Sequence, residues 1–220
     1  MRTISSLFNL LILVLLLGFT KPDPDSLQDF CIADTAITQS FFLNGVPCIN
    51  PRLALSSHFV TSVLARAGNT GANPFGFNVT LTNTRNLPGL NTQGLTMGRI
   101  DIATNGLVPP HSHPRASEVT ILIRGTLLVG FIDTSNRLFS QQLRPGDSFV
   151  FPKGMIHFLF NLDSSSPALA ISGLSSQNPG TQISALATFA SKLPLPDDVV
   201  KKAFQISGQD LARIRKNLGG

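Results

Sequence analysis

The stretch PPHSHPRASE at residues 109–118 decides how the rest of this chain is interpreted. It places His111 and His113 one residue apart and Glu118 five residues after the second histidine. In an extended strand, residues i and i+2 point to the same face, so both imidazoles can be aimed at one point. Pro114 interrupts the strand and lets the chain turn, which brings Glu118 in from the next strand. The pattern indicates a metal site, although an H-x-H pair alone also occurs on exposed strands.

A second stretch, RPGDSFVFPKGMIHFLFN at 144–161, supplies a fourth candidate ligand. Turn signals at 145–146 and 152–154 enclose a short strand, after which His157 opens an apolar strand. A lone histidine in such a strand is ordinarily a core residue with satisfied hydrogen bonds. Here it lies where a hairpin partner of the first histidine strand would place it, so a core residue and a fourth ligand are the two alternatives.

Between Phe59 and Leu174 the chain consists of short apolar or alternating runs separated by Gly, Pro and Asn. Such runs predict strands joined by tight turns. Their close spacing favours an all-β fold, either a closed antiparallel barrel or a sandwich. The predicted strands and hairpins are GLTMGRIDI, EVTILIRGTLLVGFID, RLFSQQL, SFVFP, IHFLFNL and ALAISGL.

The last part of the chain has helical rather than strand periodicity. Two helices are predicted from the spacing of Ile183, Leu186, Ala187 and Ala190, and of Val199, Val200, Ala203 and Phe204. A third is predicted from Ser207, with Asp210 as its capping partner and Leu211, Ile214 and Leu218 on one face. These apolar stripes must be buried, either on their own barrel or against another subunit.

The N-terminal residues 1–20 have the pattern of a secretory signal peptide. Arg2 precedes an apolar run from Leu7 to Phe19, which is short for a membrane span, and the polar stretch TKPDPDSLQD ends it. We therefore expect a secreted chain that begins near Lys21 and has no membrane contact after cleavage. Its roughly 200 residues suit one domain. We divide it into an N-terminal arm at 21–55, the barrel at 56–178 and a C-terminal helical segment at 179–220.

Charge and cysteine content restrict the partners and the compartment. In an oxidising compartment Cys31 and Cys48 most simply form one disulfide, and two buried free thiols are the alternative. The net charge of +5 favours an anionic matrix such as acidic polysaccharide, although a solvated basic surface is the simpler explanation because the basic residues are scattered. Nucleic acid is not expected as a partner of a secreted chain.

The sequon NVT makes Asn78 a candidate glycosylation site, and His58 is predicted to be a surface residue.

Together the two histidine stretches resemble the two motifs of the cupin superfamily. The first motif is matched by Gly106, His111, His113, Glu118 and Gly125, and the second by Gly146, Pro152, Gly154, His157 and Asn161. The surrounding segments LQDFC, PGLNT, PPHSHPRASE, FVFPKGMIHF, SQNPGTQ and PDDVVKKAFQ resemble the germin-like proteins of plants over essentially the whole mature chain. Asn105 and Arg124 depart from the pattern, standing where a glycine and a glutamate are common.

The resemblance implies a jelly-roll β-barrel with C-terminal α-helices, and manganese held by His111, His113, Glu118 and His157. It also implies a disulfide between Cys31 and Cys48. It further implies an extracellular glycoprotein of the apoplast or cell wall, assembled as a hexamer, a trimer of dimers clasped by the C-terminal helices. The ligand chemistry agrees independently, because three imidazoles and one carboxylate leave room for water in an octahedral shell suited to Mn(II) or Fe(II).

The expected activity is superoxide dismutation at the metal, which the resemblance implies. Its oxalate-oxidising members carry asparagines at the positions of Gly98 and Val108, and this chain has neither amide, which places oxalate oxidation second. Another dioxygen-using metal enzyme and a matrix or ligand-binding protein without catalysis are the remaining alternatives.

Overall fold

The computed structural model describes residues 28–36 and 45–219, which form ten strands, five short 3-10 helices and three α-helices. The strands are β1 Phe77–Leu81, β2 Thr96–Ile102, β3 Leu107–Ser112, β4 Glu118–Arg124, β5 Leu127–Ile132, β6 Leu138–Leu143, β7 Ser148–Phe151, β8 Ile156–Asn161, β9 Ala168–Leu174 and β10 Gln182–Ile183. The 3-10 helices are Pro51–Leu53, Ser56–Phe59, Val63–Ala65, Thr70–Ala72 and Pro88–Leu90, and the α-helices are α1 Ser184–Phe189, α2 Asp197–Phe204 and α3 Gly208–Asn217.

The strands form two five-stranded antiparallel sheets, ordered β1-β2-β9-β4-β7 and β10-β3-β8-β5-β6. Their inner faces enclose an apolar core that includes Ile102, Leu122 and Val129. Strand β4 alternates strictly over its first five residues, so Glu118 points inward and Val119 outward. The all-β jelly-roll barrel with C-terminal helices is confirmed.

Two of the motif residues build a turn of the barrel and do not contact the ligand cluster. Gly106 packs so closely on the backbone of the preceding turn that an added Cβ would lie 2.5 Å from the carbonyl oxygen of Gly76. Asn105, the departure before it, has φ +55°, a left-handed conformation that asparagine tolerates better than most residues. Asn161 is buried and its Nδ2 donates to the carbonyls of Ala103 and Ser166, which fastens this end of the barrel.

The structure differs from the sequence prediction at two strands. Ile183, predicted on a helix, is the last residue of β10 and lies opposite His111 of β3, and α1 begins only at Ser184. The edge of β3 offers unpaired backbone groups to this segment, and pairing with it satisfies them. Strand β1 was not among the predicted strands, although Phe77–Leu81 alternates in the expected way.

The C-terminal helices pack partly on their own chain. Ser207 caps α3 as predicted, since its Oγ accepts a hydrogen bond from the Asp210 backbone N–H at 3.1 Å. Val200 and Leu211 are buried, while Val199 and Phe204 remain 54% and 49% exposed in the single chain.

The described part of the N-terminal arm is joined by a disulfide between Cys31 and Cys48. The buried Asn91 fastens the arm to the barrel, because its amide donates to the Val46 carbonyl and accepts from the Val46 backbone N–H. The predicted signal peptide at 1–20 lies outside the described residues. Within the described ranges, no helix combines the length and apolar character needed to cross a bilayer.

Candidate metal centre

Four predicted ligands come together inside the barrel. His111 lies near the end of β3, His113 in the turn after it, Glu118 at the start of β4 and His157 in β8. One potential ligand atom from each lies within 4.8 Å of the corresponding atom of every other. All four residues are buried, and His113 is the most exposed of them at 8%. The structure therefore brings the four candidate ligands into one cluster.

The sheet register explains why residues so distant in sequence meet. His111 and His157 are direct partners in the antiparallel pair of β3 and β8. Glu118 is paired with Phe151 of β7 and Leu174 of β9, which carries it to the opposite sheet with its side chain directed inward. The two sheets thus contribute to the cluster from both sides of the barrel.

Backbone carbonyls orient all three imidazoles in the same way. The Nδ1 atoms of His111 and His157 lie 2.9 Å from the carbonyl oxygens of Pro109 and Met155, and Nδ1 of His113 bonds the carbonyl of Gly180. Because a carbonyl oxygen can only accept, each Nδ1 carries the proton in these bonds. Each Nε2 is then left with a free lone pair, the arrangement typical of metal-binding histidines.

The carboxylate of Glu118 is held on one side by hydroxyl groups. Its Oε1 accepts a hydrogen bond of 2.8 Å from Oγ1 of Thr120. The hydroxyl of Ser172 lies 2.7 Å from the same Thr120 oxygen, and it is the donor there because the Thr120 proton is given to Glu118. Both hydroxyl residues are buried, so they fix the carboxylate and leave its second oxygen free.

That second oxygen, Oε2 of Glu118, faces the histidines at distances that a cation bound between them would suit. It lies 3.0 Å from Nε2 of His113 and 3.4 Å from Nε2 of His157. With the imidazoles neutral and their protons on Nδ1, these are contacts between lone-pair-bearing atoms, which either a metal ion or a proton on Nε2 of His113 relieves. Oε2 and the His157 Nε2 are also among the buried atoms that lack a hydrogen-bond partner. A metal ion among them would satisfy every one, so the residues fit a divalent cation.

The protonation states of the cluster also suit metal binding. Burial, followed by repulsion from His157, lowers the pKa of His111 to about 4. Burial likewise opposes the charge on His113, but its pKa is raised because the bond to Glu118 outweighs that effect. Burial would raise the pKa of Glu118, yet hydrogen bonds from His113 and His157 outweigh it, and the pKa is strongly lowered. A deprotonated carboxylate and a neutral His111 are the forms that bind metal.

The cluster lies at one wall of a cavity of about 110 Å³. Most of its lining is apolar and includes Phe77, Val79, Leu81, Ile100, Leu159 and Leu174. Gly98 and Val108 are part of this lining. Ser172 and Thr181 are polar members of the lining, and among the described residues no amide side chain lines the cavity.

Several residues that support the site were not singled out from the sequence. Thr120 follows Glu118 by two residues in one strand, so strand alternation could have indicated it. Ser172 and the carbonyl of Gly180 come from distant segments without any local signal. Phe151, whose ring stacks on His157 with 4.4 Å between centroids, looks in sequence like any core aromatic. His58 lies outside the ligand cluster, where its Nδ1 accepts from the Leu55 backbone N–H.

The fold and the site define a jelly-roll barrel with a candidate metal centre in its interior. A sequence model of the family described as Cupin matches residues 62–211. Germin-like protein subfamily 1 member 1 of Arabidopsis thaliana is 59% identical over 96% of this chain and 98% of its own length. Germin-like protein 3-1 of Oryza sativa subsp. japonica is 53% identical over 96% of each chain. A solved oxalate oxidase structure matches with a TM-score of 0.84 and 38% identity, covering 90% of this chain and 99% of that one. The chain belongs to the germin-like proteins of plants, within the cupin superfamily.

Proposed function

We propose that this germin-like protein is a secreted manganese protein that dismutates superoxide. The observation that carries the proposal is the convergence, in a buried site, of the Glu118 carboxylate and three imidazoles whose Nδ1 atoms are held by backbone carbonyls. His111, His113, Glu118 and His157 are the proposed ligands, and the catalytic role of each is exerted through the metal. Three imidazoles and one carboxylate suit Mn(II) with open positions better than a closed structural zinc site.

In the proposed reaction, two superoxide ions and two protons give one dioxygen and one hydrogen peroxide. Bound manganese would supply the redox chemistry by alternately accepting and donating one electron. The three backbone carbonyls hold the imidazoles in their ligating orientation, and Thr120 holds the carboxylate. The Ser172 hydroxyl lines the cavity and donates to Thr120, so its oxygen remains free to accept a hydrogen bond from a protonated species in the cavity.

The shape and polarity of the cavity support a small substrate over a dicarboxylate. Superoxide needs a position on the metal and little else, whereas oxalate has two carboxylate groups that need hydrogen-bond donors. Gly98 and Val108 provide none. The similarity to an oxalate oxidase structure nevertheless makes oxalate oxidation the second candidate. A metal-stabilised matrix protein without catalysis is the third.

The setting of the protein is part of the proposal. We infer cleavage of residues 1–20 and export to the apoplast or cell wall, which the disulfide in the arm supports. The basic composition would favour acidic wall polysaccharide. Exposed Val199 and Phe204 on α2 support assembly through the C-terminal helices, as in a hexamer built as a trimer of dimers. Equilibrium sedimentation of the secreted protein would test this assembly, and a monomer would contradict it.

Glycosylation at Asn78 is also proposed. Asn78 lies in β1 with a half-buried side chain that accepts a hydrogen bond from Thr80 and packs beside Gly68. A glycan would therefore have to leave the strand on the side away from Gly68. Mass spectrometry of the protein from plant cells, beside Asn78→Gln, would show a mass difference of a glycan. Equal masses apart from the substitution would contradict the modification.

The activity is tested on the secreted full-length protein with elemental analysis and superoxide and oxalate assays. We expect about one manganese per chain, dismutation that is lost on chelation and regained with manganese, and no turnover of oxalate. His113→Ala should lose metal and activity together, whereas the control His58→Ala should keep both, because His58 lies outside the cluster. Turnover of oxalate would favour the second candidate, and bound manganese without either activity the third. A wild-type protein that binds no divalent metal would overturn the site itself.

A further inference from the structure

The segment 177–183, here called the strap, lies along one side of the metal cluster and joins the barrel to α1. Thr181 and Ile183 on the strap line the cavity, and Ile183 pairs with His111 of β3. The carbonyl of Gly180 accepts the bond from Nδ1 of His113. The strap therefore forms part of the cavity wall and sets the orientation of one candidate ligand.

Arg115, two residues after His113, grips the strap with its side chain and backbone. Its Nε donates to the Asn178 carbonyl at 2.7 Å, and its Nη2 donates to Oδ1 of Asn178 at 2.9 Å. Its backbone N–H donates to the carbonyl of Pro179 at 3.1 Å. The three bonds fall on two consecutive residues of the strap, immediately before the carbonyl that holds His113.

The guanidinium group also packs directly against Gly180. A Cβ added to Gly180 would lie 2.9 Å from Nη2 of Arg115, and Gly180 has φ +68°, a conformation that favours glycine. The position of the Gly180 carbonyl is thus limited on one side by the arginine and on the other by His113. Arg115 is exposed, and it neither lines the cavity nor belongs to the ligand cluster. Its bonds therefore act on the strap.

We infer that Arg115 is a positioning residue for the metal centre: it fixes the strap so that the Gly180 carbonyl holds His113 in its ligating orientation. The inference rests on the proposed metal-binding role of His113. Lysine cannot replace the arginine, because the two bonds to Asn178 need a planar fork with two N–H groups. Groups that orient metal ligands typically change metal affinity by about 10- to 100-fold when removed. Arg115 acts through one further residue, and we expect the lower end of that range.

The test measures binding of Mn(II) itself to the full-length protein, by competition with a chelator, together with the electron paramagnetic resonance spectrum of bound manganese. Arg115→Lys and Arg115→Gln should both weaken binding about tenfold and alter the spectrum. The matched control is Arg137→Lys, since Arg137 is an exposed arginine that pairs with Asp133 on another hairpin, and it should leave both readouts unchanged. If Arg115→Lys binds Mn(II) as weakly as Arg115→Gln does, the planar pair of N–H groups is required and a positive charge alone is not enough.

A second variant keeps the test decisive if the arginine variants fold poorly. Asn178→Ala removes one of the two fork bonds while leaving the guanidinium in place, and it should weaken Mn(II) binding about threefold, less than the loss of the whole fork. Wild-type affinity and spectrum in Arg115→Lys, or in Asn178→Ala where the arginine variants do not fold, would overturn the positioning role. Manganese binding without dismutation in the wild type would refute the proposed activity and leave this test intact. No binding of Mn(II) or Co(II) by the wild type would overturn both.

Discussion

His111 and His157 lie directly opposite each other across strands β3 and β8, with their ring centroids 4.1 Å apart. This close to a second imidazole and this buried, His111 resists protonation, because its charge would be desolvated and would repel a positive charge on His157. Burial is the larger cause of the lowered pKa of His111, and His157 is the second. Without metal, His111 is therefore a source of acid sensitivity in the core.

The first prediction concerns the pH dependence of stability in the chelated protein. The pKa of His111 falls from 6.5 to about 4 on folding, so the unfolded chain binds more protons between these values. Acidification through that window therefore favours unfolding, by about 3 kcal/mol for this group. Urea unfolding near pH 7 and near pH 4 should show a loss of stability that is smaller by about that amount in His111→Gln. Equal losses of stability in the wild type and His111→Gln would contradict the assignment of this effect to His111.

His113 contributes with the opposite sign and in a higher pH range. Its folded pKa is raised, so its contribution to stability is complete below 6.5 and is lost as the pH rises through the folded value. The wild type and His111→Gln both keep His113. Its contribution to the loss of stability between pH 7 and pH 4 is therefore the same in the two proteins and cancels in the comparison.

The second prediction concerns the hydroxyl that holds the carboxylate. Thr120→Val removes the 2.8 Å bond to Glu118 with almost no change in volume. The freed carboxylate oxygen would be less well oriented, and we expect manganese affinity to fall about tenfold. Chelator competition measures it. Thr82→Val, which removes a buried hydroxyl that contacts Thr96 and lies outside the cavity lining, is the matched control and should bind manganese as the wild type does.

The third prediction concerns the apolar cavity wall. Placing amides there with Gly98→Asn and Val108→Asn would supply donors for a dicarboxylate. A Cβ at Gly98 would approach the Leu81 methyl to 3.1 Å, which a small rotation of the leucine can relieve. We expect oxalate binding to the manganese-loaded double variant to be at least about tenfold tighter than to the wild type, measured by calorimetry. Equal affinity of the wild type and the double variant would mean that these two positions do not determine how well oxalate binds.

The fourth prediction concerns the disulfide in the arm. Cys31 and Cys48 are 17 residues apart, and closing a loop of that size stabilises a fold by about 3 kcal/mol. The double variant Cys31→Ser and Cys48→Ser should lose about that much free energy of unfolding in urea. Its manganese content should stay at the wild-type level, because all four candidate ligands lie in the barrel. Loss of metal in a folded variant would show that the arm supports the site.

Local pattern was sufficient for most of the barrel, whereas the ligand set followed from the resemblance to the two cupin motifs. Strands β4 to β9 have clear apolar or alternating runs, and His157 could be placed opposite the H-x-H strand from the turns that flank it. Ile183 was assigned to a helix because its spacing to Leu186 fits one, whereas the open edge of β3 captures it as a strand. Ser172, Gly180 and Arg115 owe their positions to segments more than 50 residues away, a relation that no local pattern encodes.

The three imidazoles are oriented by peptide groups, those of Pro109, Met155 and Gly180, and not by the side chains that line the cavity. The chemistry of the cavity wall is therefore free to change independently of the metal-binding geometry. Residues such as Gly98 and Val108 can be exchanged without redesigning the ligands behind them. A barrel built in this way can keep one metal centre while the side chains that line the cavity change and select different reactions.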